Sequence, residues 1–220
     1  MNAALWKEIG EAIWETLAMV GLSSFAHYLV GLPLGIALYV TGKNGLHPAP
    51  WFNIPVGFLV NILRSIPFLI FAVMLIPFAR LLVGSSIGWP AMTVCLAIAS
   101  APYIARLVEQ SIGQVPQGEI EAARSMGCSL MQIINKVVLK ESTPSLLVSM
   151  AIGITTILAY SSMSGVFAGG GLGQVALTYG YYRSEDEVMY WALLFMVILT
   201  QIIQESGLWL ARKFDRTRKN

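Results

Sequence analysis

The chain has 220 residues, 56% of them hydrophobic and 12% charged, with a mean hydropathy of +0.67. An average soluble domain is about 25% charged, and fourteen basic plus twelve acidic side chains are too few to cover a water-facing surface of this size. This excludes an ordinary soluble enzyme, a disordered chain and a nucleic-acid binder. The composition is that of an integral membrane protein, and with a net charge of only +2 the placement of charge carries the information.

In chain order, residues 1–15 hold Lys7 among Glu8, Glu11 and Glu15. They lack the basic start and short apolar run of a cleaved signal peptide. The Trp6/Ile9/Ile13/Trp14 spacing predicts an amphipathic lead-in at the outer surface. Beyond it, Glu15 and Lys43 enclose 27 uncharged residues, Arg80 and Arg106 enclose 25, Glu141 and Arg183 enclose 41, and Glu187 and Glu205 enclose 17. A helix needs about 20 apolar residues to cross roughly 30 Å of hydrocarbon. These windows predict spans at 16–41, 87–108, 144–167 and 188–211. The longest window is broken by Gly169, Gly170, Gly171 and Gly173, after which 174–182 is too short to cross, so a re-entrant or interfacial loop is expected there.

A further span is predicted at 53–79, interrupted by Arg64. An arginine at the bilayer centre costs about 2.5–3.5 kcal/mol, so Arg64 lies either near the membrane face or in a protein-lined interior. Residues 65–79 alone would reach only about 22 Å, which favours a helix that starts upstream of Arg64. The expectation is one all-α transmembrane domain, 1–220, with five spans.

Basic residues set the orientation. With the N-terminus outside, the cytoplasmic segments hold Lys43, Arg106, Arg124, Lys136, Lys140, Arg212, Lys213, Arg216, Arg218 and Lys219, and the outer segments hold Lys7, Arg80 and Arg183. Ten against three gives an outside N-terminus and a cytoplasmic C-terminus. Cys95 falls in a span and Cys128 in a cytoplasmic segment, so no disulfide framework is expected.

A transporter needs an energy source, and the absences bear on which. The phosphate-cradling loop needs Gly-Lys followed by a hydroxyl, but Gly42-Lys43 is followed by Asn44. Ion-coupled carriers place carboxylates or histidines deep in the membrane, whereas the acids here lie at span ends or in loops. His27 is the one ring inside a span, and packing or an interhelical hydrogen bond is expected of it. His47 stands alone, and no metal-ligand spacing occurs.

The stretch 116–139, between the third and fourth spans, is the most informative. Pro116 suits a first helical turn, and Glu119 and Glu121 favour a helix N-terminus. Gly127 can end that helix in the left-handed conformation, and Ser129 can cap the next. Two short helices with a tight corner are expected outside the membrane. Ala122 and Ala123 would offer a low-relief surface to another protein, while Leu130, Ile133, Ile134 and Val137 would pack back on the membrane domain.

Glu121-Ala122-Ala123, three residues, Gly127, nine residues, then Val137-Val138-Leu139 resembles the EAA loop of binding-protein-dependent ABC importers, whose pattern is E-A-A-x-x-x-G-x9-I-x-L-P. Val137 replaces the isoleucine and Lys140 replaces the proline. Similarity to the methionine-importer permease subgroup extends along nearly the whole chain. It includes Trp14-Glu15-Thr16-Leu17-Ala18-Met19, Gly31-Leu32-Pro33-Leu34-Gly35 and Asn61-Ile62-Leu63-Arg64-Ser65-Ile66-Pro67-Phe68. It continues through Ala101-Pro102-Tyr103-Ile104-Ala105-Arg106, Tyr160-Ser161-Ser162-Met163, Gly170-Gly171-Leu172-Gly173 and Tyr179-Gly180-Tyr181. Residues Ser164–Ala168 depart from the subgroup's glycine-rich run.

The resemblance implies the permease fold of a type I ABC importer, in the bacterial plasma (inner) membrane. Two copies of the permease would form the pathway, two separate ATPase subunits would bind ATP and Mg, and an extracytoplasmic substrate-binding lipoprotein would deliver the amino acid. No cofactor is expected on this chain. Glu119, Glu121, Ala122, Ala123, Arg124, Met126 and Gly127 would meet the ATPase, with Glu121 positioning the helix, the alanines permitting close docking and Gly127 making the turn. Alternating access would move methionine, or alternatively another amino acid or a small osmolyte. An oligomeric channel is the remote alternative.

The pathway is argued from polarity. Tyr160, Ser161, Ser162, Met163 and Ser164 put hydroxyls and a thioether near the outer half of the fourth span, where they would line a route or glue helices together. Arg64 would pair with Glu109 or a backbone carbonyl, or contact a substrate carboxylate. Gly169, Gly170, Gly171 and Gly173 give backbone freedom for an outer gate, or form only a tight loop.

Overall fold

The computed structural model describes residues 3–215, and all of its regular structure is helical. Arg216, Arg218 and Lys219 of the basic tail lie outside the described residues. Helix α1 runs unbroken over Ala3–Thr41, about 58 Å at ~1.5 Å per residue. The expected lead-in is therefore part of the first span. Ile9 and Ala12 are buried against Leu172, Val175, Val188 and Ala192, while Trp14 stays exposed.

The second span departs from expectation. It is two helices, α2 (Pro50–Ser65) and α3 (Phe68–Val83), bent by 106°. Pro67 supplies no amide hydrogen and forces the residue before it out of the helical region, and Ile66 is extended at ψ 124°. Arg64 thus sits in the last turn of α2, just before the break. Among the described residues, four unbroken helices are long and apolar enough to cross a membrane, and the bent pair makes up to five.

Helix α4 (Trp89–Ile112) packs along α1. Gly31 and Gly35 make the contact possible: a Cβ on either would meet Ile104, or the Ala105 carbonyl and Val108. Small residues four apart let two backbones approach in this way. His27 Nδ1 on α1 shares a 3.1 Å hydrogen bond with the Ser100 hydroxyl on α4.

A short helix, α5 (Gln117–Ser125), leads to α6 (Leu130–Ile133). A π-helical turn (Ile134–Val138) and α7 (Leu139–Glu141) then join it to α8 (Thr143–Ser161). With no proline at Lys140, the second short helix has no exit. It runs on into the fourth span with only a turn residue, Ser142, between them. Hydroxyls bind α8 to α4: the Ser111 and Ser149 side chains lie 2.7 Å apart, and Ser145 donates to the Ser111 carbonyl at 3.2 Å.

After α8 the chain tightens into a 3-10 stretch, Ser162–Phe167, and turns back. Helix α9 (Gly171–Val175) and a π-helical turn (Ala176–Tyr181) follow. The expected re-entrant or interfacial loop is a helical hairpin. Helix α10 (Asp186–Phe214) closes the chain, with Asp186 and Glu187 in its first turn and Arg212 and Lys213 in its last, the arrangement its macrodipole favours. Leu193, Leu194, Val197, Ile198 and Ile202 of α10 are exposed, which is the surface of a helix facing lipid or another membrane-embedded chain.

Candidate functional site

Three regions hold the residues singled out from sequence: the α5–α6 corner, the break between α2 and α3, and the hairpin after α8.

The corner forms as the local sequence requires. Gly127 takes φ +77°, and its amide donates to the Arg124 carbonyl at 2.9 Å. Ser129 and Gln132 form a reciprocal capping box, with the Ser129 amide donating to Gln132 Oε1 at 2.8 Å. Both are short-range solutions to unpaired helix-end groups.

The two alanines have different surroundings, which corrects the expectation that both offer a docking surface. Ala123 is 2% exposed and packs with Ile120, Ile133, Val108 and Ile112. Ala122 is exposed, together with Glu119, Glu121, Ser125 and Gly127. Met126 is 75% exposed. Arg124 has its own task, donating from Nη2 to the Leu46 carbonyl at 2.8 Å and so tethering α5 to the α1–α2 connection. In the apolar stripe, Ile133 and Ile134 are buried, Val137 is half-buried and Leu130 is exposed. The π-helical turn shifts the register, and Val138 takes the innermost place.

At the break, Arg64 does not pair with Glu109, because Glu109 Oε2 accepts from Arg106 Nη1 at 2.6 Å. Arg106 also donates to the Gly57 carbonyl at 2.8 Å, linking α4 to α2. Arg64 lies over the Tyr103 ring, 5.8 Å from its centroid. It lines a cavity of about 240 Å³ with Leu63, Ile66, Phe68, Phe71, Ala99, Tyr103 and Tyr160. Phe68 and Tyr160 stack in parallel, with centroids 4.5 Å apart. Of this wall, only Arg64 and Tyr160 are candidate site residues from sequence. Phe68, Ala99 and Tyr103 were missed, although a proline three residues after an intramembrane charge was a usable signal for a discontinuous helix lining a site.

The polar run at the end of α8 divides in two. Ser161 and Ser164 are buried and donate to the Leu158 and Gly170 carbonyls. Ser162 is half-buried and donates to the Ala159 carbonyl. Met163 is 40% exposed. The serine hydroxyls thus serve the backbone, leaving Met163 exposed and Tyr160 on the wall of the cavity at the break.

The glycine hairpin is fastened down. The Gly171 amide donates to Glu15 Oε2 at 2.7 Å, and the Leu172 amide to Thr16 Oγ1 at 2.9 Å. The Gly170 amide donates to Gln174 Oε1 at 2.7 Å. Gly170 and Gly171 have φ +75° and +76°, and a Cβ on either would collide with Glu15, or with Met19 and Thr16. Gly169 and Gly173 are buried as well. Beside the hairpin, Glu8, Glu11 and Glu15 line an open groove of about 480 Å³. The hydrogen bond from Tyr179 to Glu8 raises the Tyr179 pKa above its ordinary value, and Arg183 beside its ring opposes the rise.

The family described as "Binding-protein-dependent transport system inner membrane component" matches residues 31–220. The chain belongs to that family. It is similar to the probable D-methionine transport system permease protein MetI of Vibrio cholerae, at 43% identity over 93% of this chain and 91% of the relative. The corresponding protein of Pasteurella multocida is 35% identical over 98% and 99%. Among solved structures, a chain of the MetNI methionine ABC transporter in an inward-facing conformation superimposes with a TM-score of 0.95 at 41% identity, covering 98% of this chain and all of that one. A chain of an amino acid ABC transporter with histidines shares the fold at a TM-score of 0.77 and 20% identity. The chain is thus an all-α membrane component of a binding-protein-dependent transport system, with the permease fold.

Proposed function

We propose that this chain is the permease subunit of an ATP-driven ABC importer that carries methionine by alternating access. Likeness to methionine-transport permeases over nearly the full length supports the cargo. The observation that carries the mechanism is the α5–α6 corner. It displays Glu119, Glu121, Ala122 and Met126 outward on a base held by Ala123, Arg124 and the capping box. A rigid, exposed, low-relief corner transmits force from a partner, and two ATPase subunits carrying ATP and Mg are that partner. Their closure pushes α5, and α5 pushes α4 and α8 through the shared apolar cluster.

A second copy of the chain covers the exposed apolar surface and completes the pathway. A substrate-binding lipoprotein delivers cargo at the opposite face, beside the glycine hairpin. The N-terminus lies outside and the C-terminus in the cytoplasm: Arg124, Lys136 and Lys140 belong to the corner segment, and Arg212 and Lys213 lie in the last turn of α10, whose end shares a cavity with Pro116, Glu119 and Lys140.

The test is uptake of labelled methionine by proteoliposomes that contain the permease, its ATPase and its binding protein. Uptake that needs ATP and is competed by unlabelled methionine above other amino acids is expected. Uptake without ATP would overturn the mechanism, and preference for another amino acid would overturn the cargo.

A further inference from the structure

We propose that the cavity at the α2–α3 break is a resting station for the cargo inside the membrane. Arg64 receives the α-carboxylate of an amino acid there, and the Phe68–Tyr160 stack receives its apolar side chain. The inference rests on the importer reading above and adds the site and the chemistry of recognition.

Four observations carry it. First, Arg64 makes no ion pair among the described residues, and Glu109, the partner considered from sequence, is held by Arg106. Its contact with Tyr103, at 5.8 Å, is at the far edge of the cation–π range of about 6 Å, so the guanidinium remains free to bind an anion. Second, Arg64 is exposed on the protomer within a membrane-embedded helix pair. A guanidinium exposed to lipid is costly, so this side of α2 faces a protein-lined or watery space. Asn61 and Ser65, on the same stretch of α2, are exposed too, and a polar stripe of that kind marks a pathway wall.

Third, Ala99 and Tyr103 come from the middle of α4, which places the cavity near mid-span, where carriers built on discontinuous helices hold their cargo. Fourth, size and lining agree. About 240 Å³ equals the liquid volume of roughly eight waters, enough for a free amino acid. The wall holds one cation, two tyrosines and otherwise apolar groups, the make-up of a small-molecule site. A guanidinium binds a carboxylate with two parallel hydrogen bonds, and no acidic residue lines the cavity to compete.

The experiment uses the complete complex, with ATPase and binding protein, in proteoliposomes. Arg64→Cys is made in a background carrying Cys95→Ala and Cys128→Ser and then treated with methanethiosulfonate reagents that attach either an ethylammonium or an ethylsulfonate. Labelled methionine uptake is expected to fall at least tenfold in Arg64→Cys. It should recover several-fold with the cationic adduct and not with the anionic one. Ala99→Leu, which fills the cavity from the opposite wall without changing charge, is expected to lower uptake at least fivefold.

Equal effects of the two reagents, or full uptake by either variant, would overturn the station while leaving the importer reading intact. Absence of amino-acid uptake by the cysteine-free parent and by the unmodified protein would overturn both.

Discussion

The α5–α6 corner and the glycine hairpin after α8 are both tight turns built on glycines with positive φ, yet they are made for opposite ends. Around Gly127 there is open space: a Cβ would meet nothing within 4 Å. The glycine is there for its conformation alone, and the residues beside it point outward. Around Gly170, Gly171 and Gly173 the space is taken by Glu15, Thr16, Met19 and the backbone at Ser161 and Ser162. Gly170 and Gly171 serve conformation and volume together, Gly173 serves volume, and the Gly171 and Leu172 amides end on side chains of α1. One turn is finished locally and presents itself to a partner. The other is finished by a helix 156 residues away in sequence and is part of the core.

The largest effect is expected in the hairpin. At Gly173 a Cβ would run into the Ser162 carbonyl, which is backbone and cannot swing aside. Gly173→Leu should abolish the folded, monodisperse protein in detergent. Recovery of that variant with ordinary thermal stability would show that the space at Gly173 is not filled.

Glu15→Ala comes next. It strands the Gly171 amide beneath the hairpin, a loss of about 1–3 kcal/mol for an unsatisfied buried donor. For a chain of this size that corresponds to a melting shift of several degrees at about 2–4 °C per kcal/mol. A smaller loss is expected at Gly127→Ala, about 1–2 kcal/mol for left-handed backbone. Gly127→Asn should recover part of it, since asparagine tolerates that conformation and no neighbour crowds the site. If Gly127→Asn were worse than Gly127→Ala, space rather than φ would be the constraint. The smallest thermal effect belongs to Ala122→Trp, within about 0.5 kcal/mol for an exposed position, whereas Ala123→Trp must overpack the cluster beneath and should cost about 1–3 kcal/mol or more.

The same contrast explains what was legible in the sequence. The corner could be read almost residue by residue, because its caps span three or four positions and depend on residue type. The spans could be read from uncharged windows, because a bilayer tolerates few charges. What escaped needed partners or directions. Nothing local distinguishes Ala122 from Ala123; the side of α5 that meets Ile133 does. The clamp of Glu15 and Thr16 on the hairpin joins residues far apart in the chain, so those glycines read as freedom when they are fastened. A hydropathy window also averages over direction, and 53–79 looked like one span even with Pro67 inside it. The break there decides the most, because it turns Arg64 from a costly intruder into one wall of a cavity. The serines of the fourth span misled for a related reason: a hydroxyl in a helix most often donates to its own carbonyls, as Ser161 and Ser162 do.

The proposed docking of an ATPase on the exposed face of the corner is measured by co-purification. The permease is purified with its ATPase as wild type, Ala122→Trp and Arg183→Ala, the last lying at the hairpin end. Ala122→Trp is expected to keep the wild-type melting temperature and lose the ATPase, while Arg183→Ala keeps both. Full retention of the ATPase by a folded Ala122→Trp protein would contradict it.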